Sequence, residues 1–168
     1  MEKNLTLTGM MGVGKTTIGK RLAKKLNYAF VDIDKIIEKQ EGESISSIFK
    51  NKGEDFFREL EEKITLNKLK LNSVVISLGG GAFMNQQIRK EVLKKHISFW
   101  LNWNNQILLN RIRNSVKRPM AYKSSDDKLI EMINKRSGLY SKALYEIKCD
   151  NLSKNEIVKK ILNIYEKY

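Results

Sequence analysis

Residues 9–16 read Gly9-Met10-Met11-Gly12-Val13-Gly14-Lys15-Thr16. They fit the pattern G-x-x-x-x-G-K-[ST] at every fixed position. An apolar stretch, Leu5–Thr8, precedes them, and Thr16–Leu26 follows with apolar residues at helical spacing (Ile18, Leu22, Leu26). Strand, glycine loop and helix in that order make a phosphate cradle. Glycines let backbone N–H groups turn inward around phosphate oxygens, and the following helix points its N-terminus at the same place. Lys15 can reach the β- and γ-phosphates, and the Thr16 hydroxyl can ligate Mg²⁺. The phosphate is therefore expected to belong to a nucleoside triphosphate, with ATP the first choice.

Outward from this loop, strand and helix signals alternate. Ala29–Asp32 reads as a second strand, and Ile36 and Ile37 begin a helix. Ser44–Lys50 and Glu54–Leu69 read as two more helices. Ser73–Leu78 is a buried-type strand ending in Gly79-Gly80-Gly81. Gln86–Lys95 is helical, Ile97–Leu101 a fourth strand, and Asn105–Arg113 and Lys128–Tyr140 are helical. Ala143–Cys149 contains a fifth strand, and Ser153 with Glu156 caps a last helix. Such alternation argues for one α/β domain with a parallel sheet covered on both faces. Pro119, the only proline, sits in a polar stretch read as a mobile loop.

The 168 residues suffice for a core without disulfides, and the single cysteine, Cys149, allows none. No apolar run approaches a membrane span, and the first residues lack the layout of a signal peptide. The expectation is a soluble cytoplasmic protein. The net charge of +13 raises nucleic-acid binding. The lysines are dispersed, however, without basic blocks or interleaved aromatics, so solvated faces are preferred and no nucleic-acid partner is expected.

The acceptor side is weaker, motif by motif. Asp32 and Asp34 lie at the carboxyl end of a strand, where ligands bind in open α/β sheets. One could help hold Mg²⁺ and the other take a proton from a hydroxyl, or both could be turn and cap residues. Arg58 and Glu61 share a helix face at i, i+3, which also suits a surface ion pair. Gly79, Gly80 and Gly81 would let a ligand approach backbone, or form a plain loop. Arg136 and Tyr140 at i, i+4 say little alone. His96 reads as a surface or strand-edge histidine, Cys149 as a small buried residue, and Trp100 and Trp103 as packing near the sheet end.

In order and spacing these signals become specific. GMMGVGKTT (9–17), FVDID (30–34), IF…GE..FR..E (48–61), SLGGG (77–81), WL (100–101), Arg111, RP (118–119) and R…Y (136–140) together resemble the shikimate kinases over nearly the whole chain. The resemblance implies a three-layer P-loop kinase fold of the nucleoside-monophosphate-kinase group. It would have a five-stranded parallel sheet of order 2-3-1-4-5, an acceptor-binding region at 33–61 and a lid at 114–124. It implies transfer of the ATP γ-phosphoryl group to the 3-hydroxyl of shikimate, by a cytoplasmic monomer, in aromatic amino-acid biosynthesis.

Carried over by position, Lys15, Asp34 and Arg118 would be catalytic, Arg118 coming from the lid. Gly12, Val13, Gly14, Lys15, Thr16, Thr17, Arg111, Arg118 and Asn155 would bind ATP, with Arg111 stacked on adenine. Thr16 and Asp32 would serve one Mg²⁺. Asp34, Arg58, Glu61, Gly79, Gly80, Gly81 and Arg136 would bind shikimate, the two arginines on its carboxylate and Glu61 orienting Arg58. Two departures stand out: Asn155 replaces a proline frequent near that position, and the lid reads RPMA rather than RPLL. The alternatives are a related hydroxy-acid kinase such as one for gluconate, a nucleic-acid-binding P-loop protein, and a nucleotide-binding regulator without turnover.

Overall fold

The computed structural model describes residues 3–114 and 124–168. Five strands, β1 (Asn4–Thr8), β2 (Ala29–Asp32), β3 (Val74–Ser77), β4 (His96–Asn102) and β5 (Tyr145–Lys148), form one sheet of order β2-β3-β1-β4-β5. Every pairing is parallel, with Leu5 opposite both Val75 and Ile97. Strands buried on both faces need near-continuous apolar runs, and β1, β3 and most of β4 are fully buried. Parallel pairing puts the ends of all five strands, Thr8, Asp32, Ser77, Asn102 and Lys148, along one edge.

The helices among the described residues are α1 (Lys15–Leu26), α2 (Ile33–Glu41), α3 (Ile45–Lys68), α4 (Gln86–Lys95), α5 (Asn105–Arg113), α6 (Asp126–Tyr140) and α7 (Lys154–Tyr165), with a 3₁₀ turn at Ala82–Met84. α1 packs against α7, whereas α3, α4 and α6 gather around the 3₁₀ turn. Gly53 is non-helical inside α3 (φ 86°, ψ 169°), so α3 is two helices meeting there, as the sequence suggests. The capping box at Ser153 and Glu156 is formed. No helix among the described residues is long and apolar enough to cross a membrane.

Two local expectations are corrected. α2 starts at Ile33, ahead of Ile36, because the Asp32 side chain caps it by accepting from the Lys35 N–H at 3.3 Å. Asp34 therefore lies in the first turn of a helix, where the dipole favours a negative charge.

His96 is not at the surface: it is 5 % exposed, at the start of β4. Its Nε2 lies 3.1 Å from the Leu69 carbonyl, which can only accept, so Nε2 carries the proton. Nδ1 then accepts from the Thr6 hydroxyl at 2.9 Å. Beside it Asn4 bridges Leu71 O and Val74 N, so this end of the sheet is closed by buried, paired polar groups. Burial pushes the His96 pKa below 6.5, Lys95 adds to this, and the bond to Leu69 opposes it.

The unfolded chain thus binds a proton at higher pH than the folded one. The stability this contributes is present above the unfolded pKa and is lost as pH falls through it toward the folded value. In urea titrations from pH 7.5 to 5.5, wild type should lose stability relative to His96→Gln, whose amide cannot protonate. A constant difference between the two across that range would contradict this.

Candidate active site

The phosphate loop runs from the end of β1 into α1. Gly12 and Gly14 have φ of 88° and 97°, a region in which a side chain is strained. Five of the loop's carbonyls are paired. Lys15 Nζ donates to Gly9 O at 2.7 Å and to Met10 O at 2.9 Å. Arg111 Nε donates to Gly12 O at 2.9 Å, the Trp103 indole N–H to Val13 O at 3.1 Å, and Ile18 N to Gly14 O at 3.0 Å. The Thr16 hydroxyl donates to Asp32 Oδ2 at 2.6 Å, while Asp32 Oδ1 caps α2. The two readings of Asp32, cap and metal-side carboxylate, are thus compatible: one oxygen for each.

Beside the loop is a cleft of ≈ 570 Å³, lined by Val13, Gly14 and Thr17 on one side and by Trp103, Arg111 and Asn155 among others on the rest. Arg111 lies over the Trp103 ring, 4.4 Å from its centroid. Asn155 Oδ1 accepts from Arg21 at 2.5 Å, tying the start of α7 to α1.

The second half of the site is built on Gly79-Gly80-Gly81, after β3. None of the three is in the left-handed region, so what they supply is space. A Cβ on Gly79 would run into Glu61 Oε1 and sit 2.7 Å from Asp34 Oδ1. A Cβ on Gly81 would run into the Arg58 guanidinium, and one on Gly80 would lie 3.2 Å from Met11 N. The Gly80 carbonyl accepts from the Tyr140 hydroxyl and, at 3.3 Å, from Arg136 Nη1. The Met10 sulfur lies 3.8 Å from both donors. Three bare residues thus collect two carboxylates and two guanidiniums from α2, α3 and α6.

Arg58 donates to Glu61 Oε2 at 2.7 Å and to Glu54 Oε1 at 3.1 and 3.2 Å, so it is held from both ends. Glu61 is 2 % exposed, and its other oxygen, Oε1, has no hydrogen-bond partner among the described residues. Burial pushes the Glu61 carboxyl above its ordinary range, Arg58 pulls it back, Asp34 adds to the rise, and Arg136 opposes it. Burial likewise carries the Tyr140 hydroxyl up to about 12, so it remains a neutral donor to Gly80.

The sequence-predicted residues therefore fall into two adjoining groups. Gly12, Val13, Gly14, Lys15, Thr16, Thr17, Asp32, Arg111 and Asn155 lie around the loop and cleft. Asp34, Arg58, Glu61, Gly79, Gly80, Gly81 and Arg136 lie around the glycines. Arg118, and the lid expected at 114–124 except for Asn114 and Ser124, fall outside the described residues. Tyr140 and Trp103 hold parts of the site that sequence spacing left unassigned. Tyr140 was signalled by its i, i+4 relation to Arg136, whereas nothing in the sequence links Trp103 to Val13.

A complete phosphate loop beside a cluster of carboxylates and guanidiniums gathered on three glycines defines a P-loop kinase for a small molecule. The shikimate kinase family model matches residues 11–166. A shikimate kinase from Thermodesulfovibrio yellowstonii is 36 % identical over 166 residues, covering 98 % of this chain and 96 % of that protein. A shikimate kinase from Acinetobacter baumannii, solved in complex with shikimate, superposes with a TM-score of 0.91 at 29 % identity, covering 98 % of this chain and 93 % of that one. A gluconokinase from Sinorhizobium meliloti, at TM-score 0.63 and 15 % identity over 99 % of this chain and 93 % of that one, shares the fold alone. The chain belongs to the shikimate kinase family.

Gly81→Ala isolates the contribution of space, because its backbone (φ −105°, ψ −13°) accepts any residue. The added methyl should displace the Arg58 guanidinium and raise the shikimate KM about ten-fold or more, with the ATP KM within two-fold. Steady-state kinetics check this, and an unchanged shikimate KM would contradict it.

Proposed function

We propose that this chain transfers the γ-phosphoryl group of ATP to the 3-hydroxyl of shikimate. The observation that carries the reading is the convergence of Asp34, Arg58, Glu61 and Arg136 on three glycines next to a complete phosphate loop. Phosphoryl transfer asks for positioning and charge neutralisation more than covalent help. Lys15 neutralises charge on the transferred group, exchanging the Gly9 and Met10 carbonyls for phosphate oxygens. Asp34, at the first turn of α2, orients the acceptor hydroxyl and takes its proton. Arg58 and Arg136 bind the acceptor's carboxylate, since a guanidinium fork matches two carboxylate oxygens. Glu61 is too buried to meet a ligand, and holds Arg58 in place. Arg118 is assigned to the closing lid on the resemblance alone.

Mg²⁺ fits the donors present. Thr16 Oγ1 and Asp32 Oδ2 are hard oxygen ligands 2.6 Å apart beside the loop, and Mg²⁺ takes few protein ligands and keeps several waters. When bound, it would neutralise phosphate charge. We further infer a cytoplasmic monomer acting on small molecules without a nucleic-acid partner, which the family resemblance and the dispersed lysines support.

The test is ADP release with shikimate, gluconate and nucleoside monophosphates offered side by side. Turnover should require shikimate. Preference for gluconate or a nucleotide would overturn the acceptor assignment. Lys15→Ala should nearly abolish turnover while the circular-dichroism spectrum and melting remain native. Near-normal turnover in that variant would remove the lysine from the mechanism.

A further inference from the structure

The turn after β4 places an aromatic donor against the phosphate loop. Trp103 lies 90 positions from Val13, yet its indole N–H donates to the Val13 carbonyl at 3.1 Å. Its ring lies under Arg111, whose guanidinium carbon is 4.4 Å from the ring centroid. Arg111 Nε in turn donates to the neighbouring carbonyl, Gly12 O, at 2.9 Å. Both side chains line the cleft beside the loop.

A phosphate loop attracts anions only while its N–H groups point inward and its carbonyls point out. A carbonyl that flips inward sets a partial negative charge against phosphate. The Gly12-Val13-Gly14 segment is susceptible, because glycine adopts φ of either sign at little cost. The carbonyls of Gly9 and Met10 accept from Lys15, and phosphate competes for that ammonium. The carbonyls of Gly12 and Val13 accept from Arg111 and Trp103, so these two donors fix the loop independently of Lys15. An indole N–H donates and cannot accept, so Trp103 adds no competing acceptor to the cradle. Its ring also covers one face of the Arg111 guanidinium, holding that group in place by a cation–π contact.

We propose that Trp103 is a positioning residue for the nucleotide, locking the Val13 carbonyl outward and seating Arg111 at the cleft. The proposal rests on the reading of this cleft as the ATP site. Two variants separate the contributions. Trp103→Phe keeps an aromatic face under Arg111 and loses the donor, whereas Trp103→Leu loses both. The ATP KM should rise about three- to five-fold in Trp103→Phe and about ten- to thirty-fold in Trp103→Leu. The shikimate KM should stay within two-fold in each.

Tryptophan-sensitised emission of N-methylanthraniloyl-ADP, chased by ATP, checks the site itself in the wild-type enzyme. Sensitised emission together with the graded, ATP-selective rise supports the proposal. Emission with an ATP KM within two-fold of wild type in Trp103→Leu overturns it and leaves the site reading intact. An equal rise of both KM values, with Phe no better than Leu, also overturns it, since that marks a merely structural residue. Absent sensitised emission defeats the site reading and the proposal together. Should Trp103→Leu not fold, the ATP KM of Trp103→Phe decides alone.

Discussion

The site depends on close approach to backbone that has no side chains. At Gly79 the space of a Cβ is taken by Glu61 Oε1 and Asp34 Oδ1, and at Gly81 by the Arg58 guanidinium. Gly80 receives Tyr140 and Arg136 on its carbonyl. Charged groups of both signs from α2, α3 and α6 could not share so small a volume around larger residues. The burial that follows is tolerated because each long charge has a partner: Arg58 is held by Glu61 and Glu54, and Arg136 by Gly80. Removing Arg58 would be costly, because it strands the buried Glu61 carboxylate.

The nucleotide half obeys a different constraint. It is an accounting of carbonyls, which must be paired outside the cradle if the N–H groups are to face in. The structure pairs five of them, using Lys15, Arg111, Trp103 and the first turn of α1. Met10 links the halves. Its carbonyl accepts from Lys15, and its sulfur packs against Arg136 and Tyr140. On the proposed reading, the phosphate donor side and the acceptor side meet within this single loop residue, which suits a direct transfer between two bound molecules.

Much of this was legible in the sequence because the informative residues are local. G-x-x-x-x-G-K-T fixes a loop within eight residues, apolar strands alternating with helical spacing indicate the parallel sheet, and the family resemblance alone implied its strand order. Arg58 and Glu61 lie on one turn of helix, so their pairing is readable. What was misread depends on distant partners. His96 looks like a polar residue at a strand edge until Thr6 and Leu69, far off in sequence, enclose it. Trp103 packs at the sheet end as expected, but its bond to a carbonyl in another segment was not legible. The start of α2 was placed late because apolar periodicity begins at Ile36, whereas Asp32 caps the helix through its side chain.

The central claim is that the charges gathered on the three glycines recognise a carboxylate. The most direct measurement is a double-mutant cycle of dissociation constants, wild type and Arg136→Ala against shikimate and its analogue with the carboxylate reduced to an alcohol. If the guanidinium meets the carboxylate, the two changes are not additive: the analogue loses most of its disadvantage in the variant, with a coupling of ~1.5–3 kcal/mol, as for a hydrogen bond to a charged group. Simple additivity of the two effects would mean that Arg136 does not touch the carboxylate, and would contradict the account.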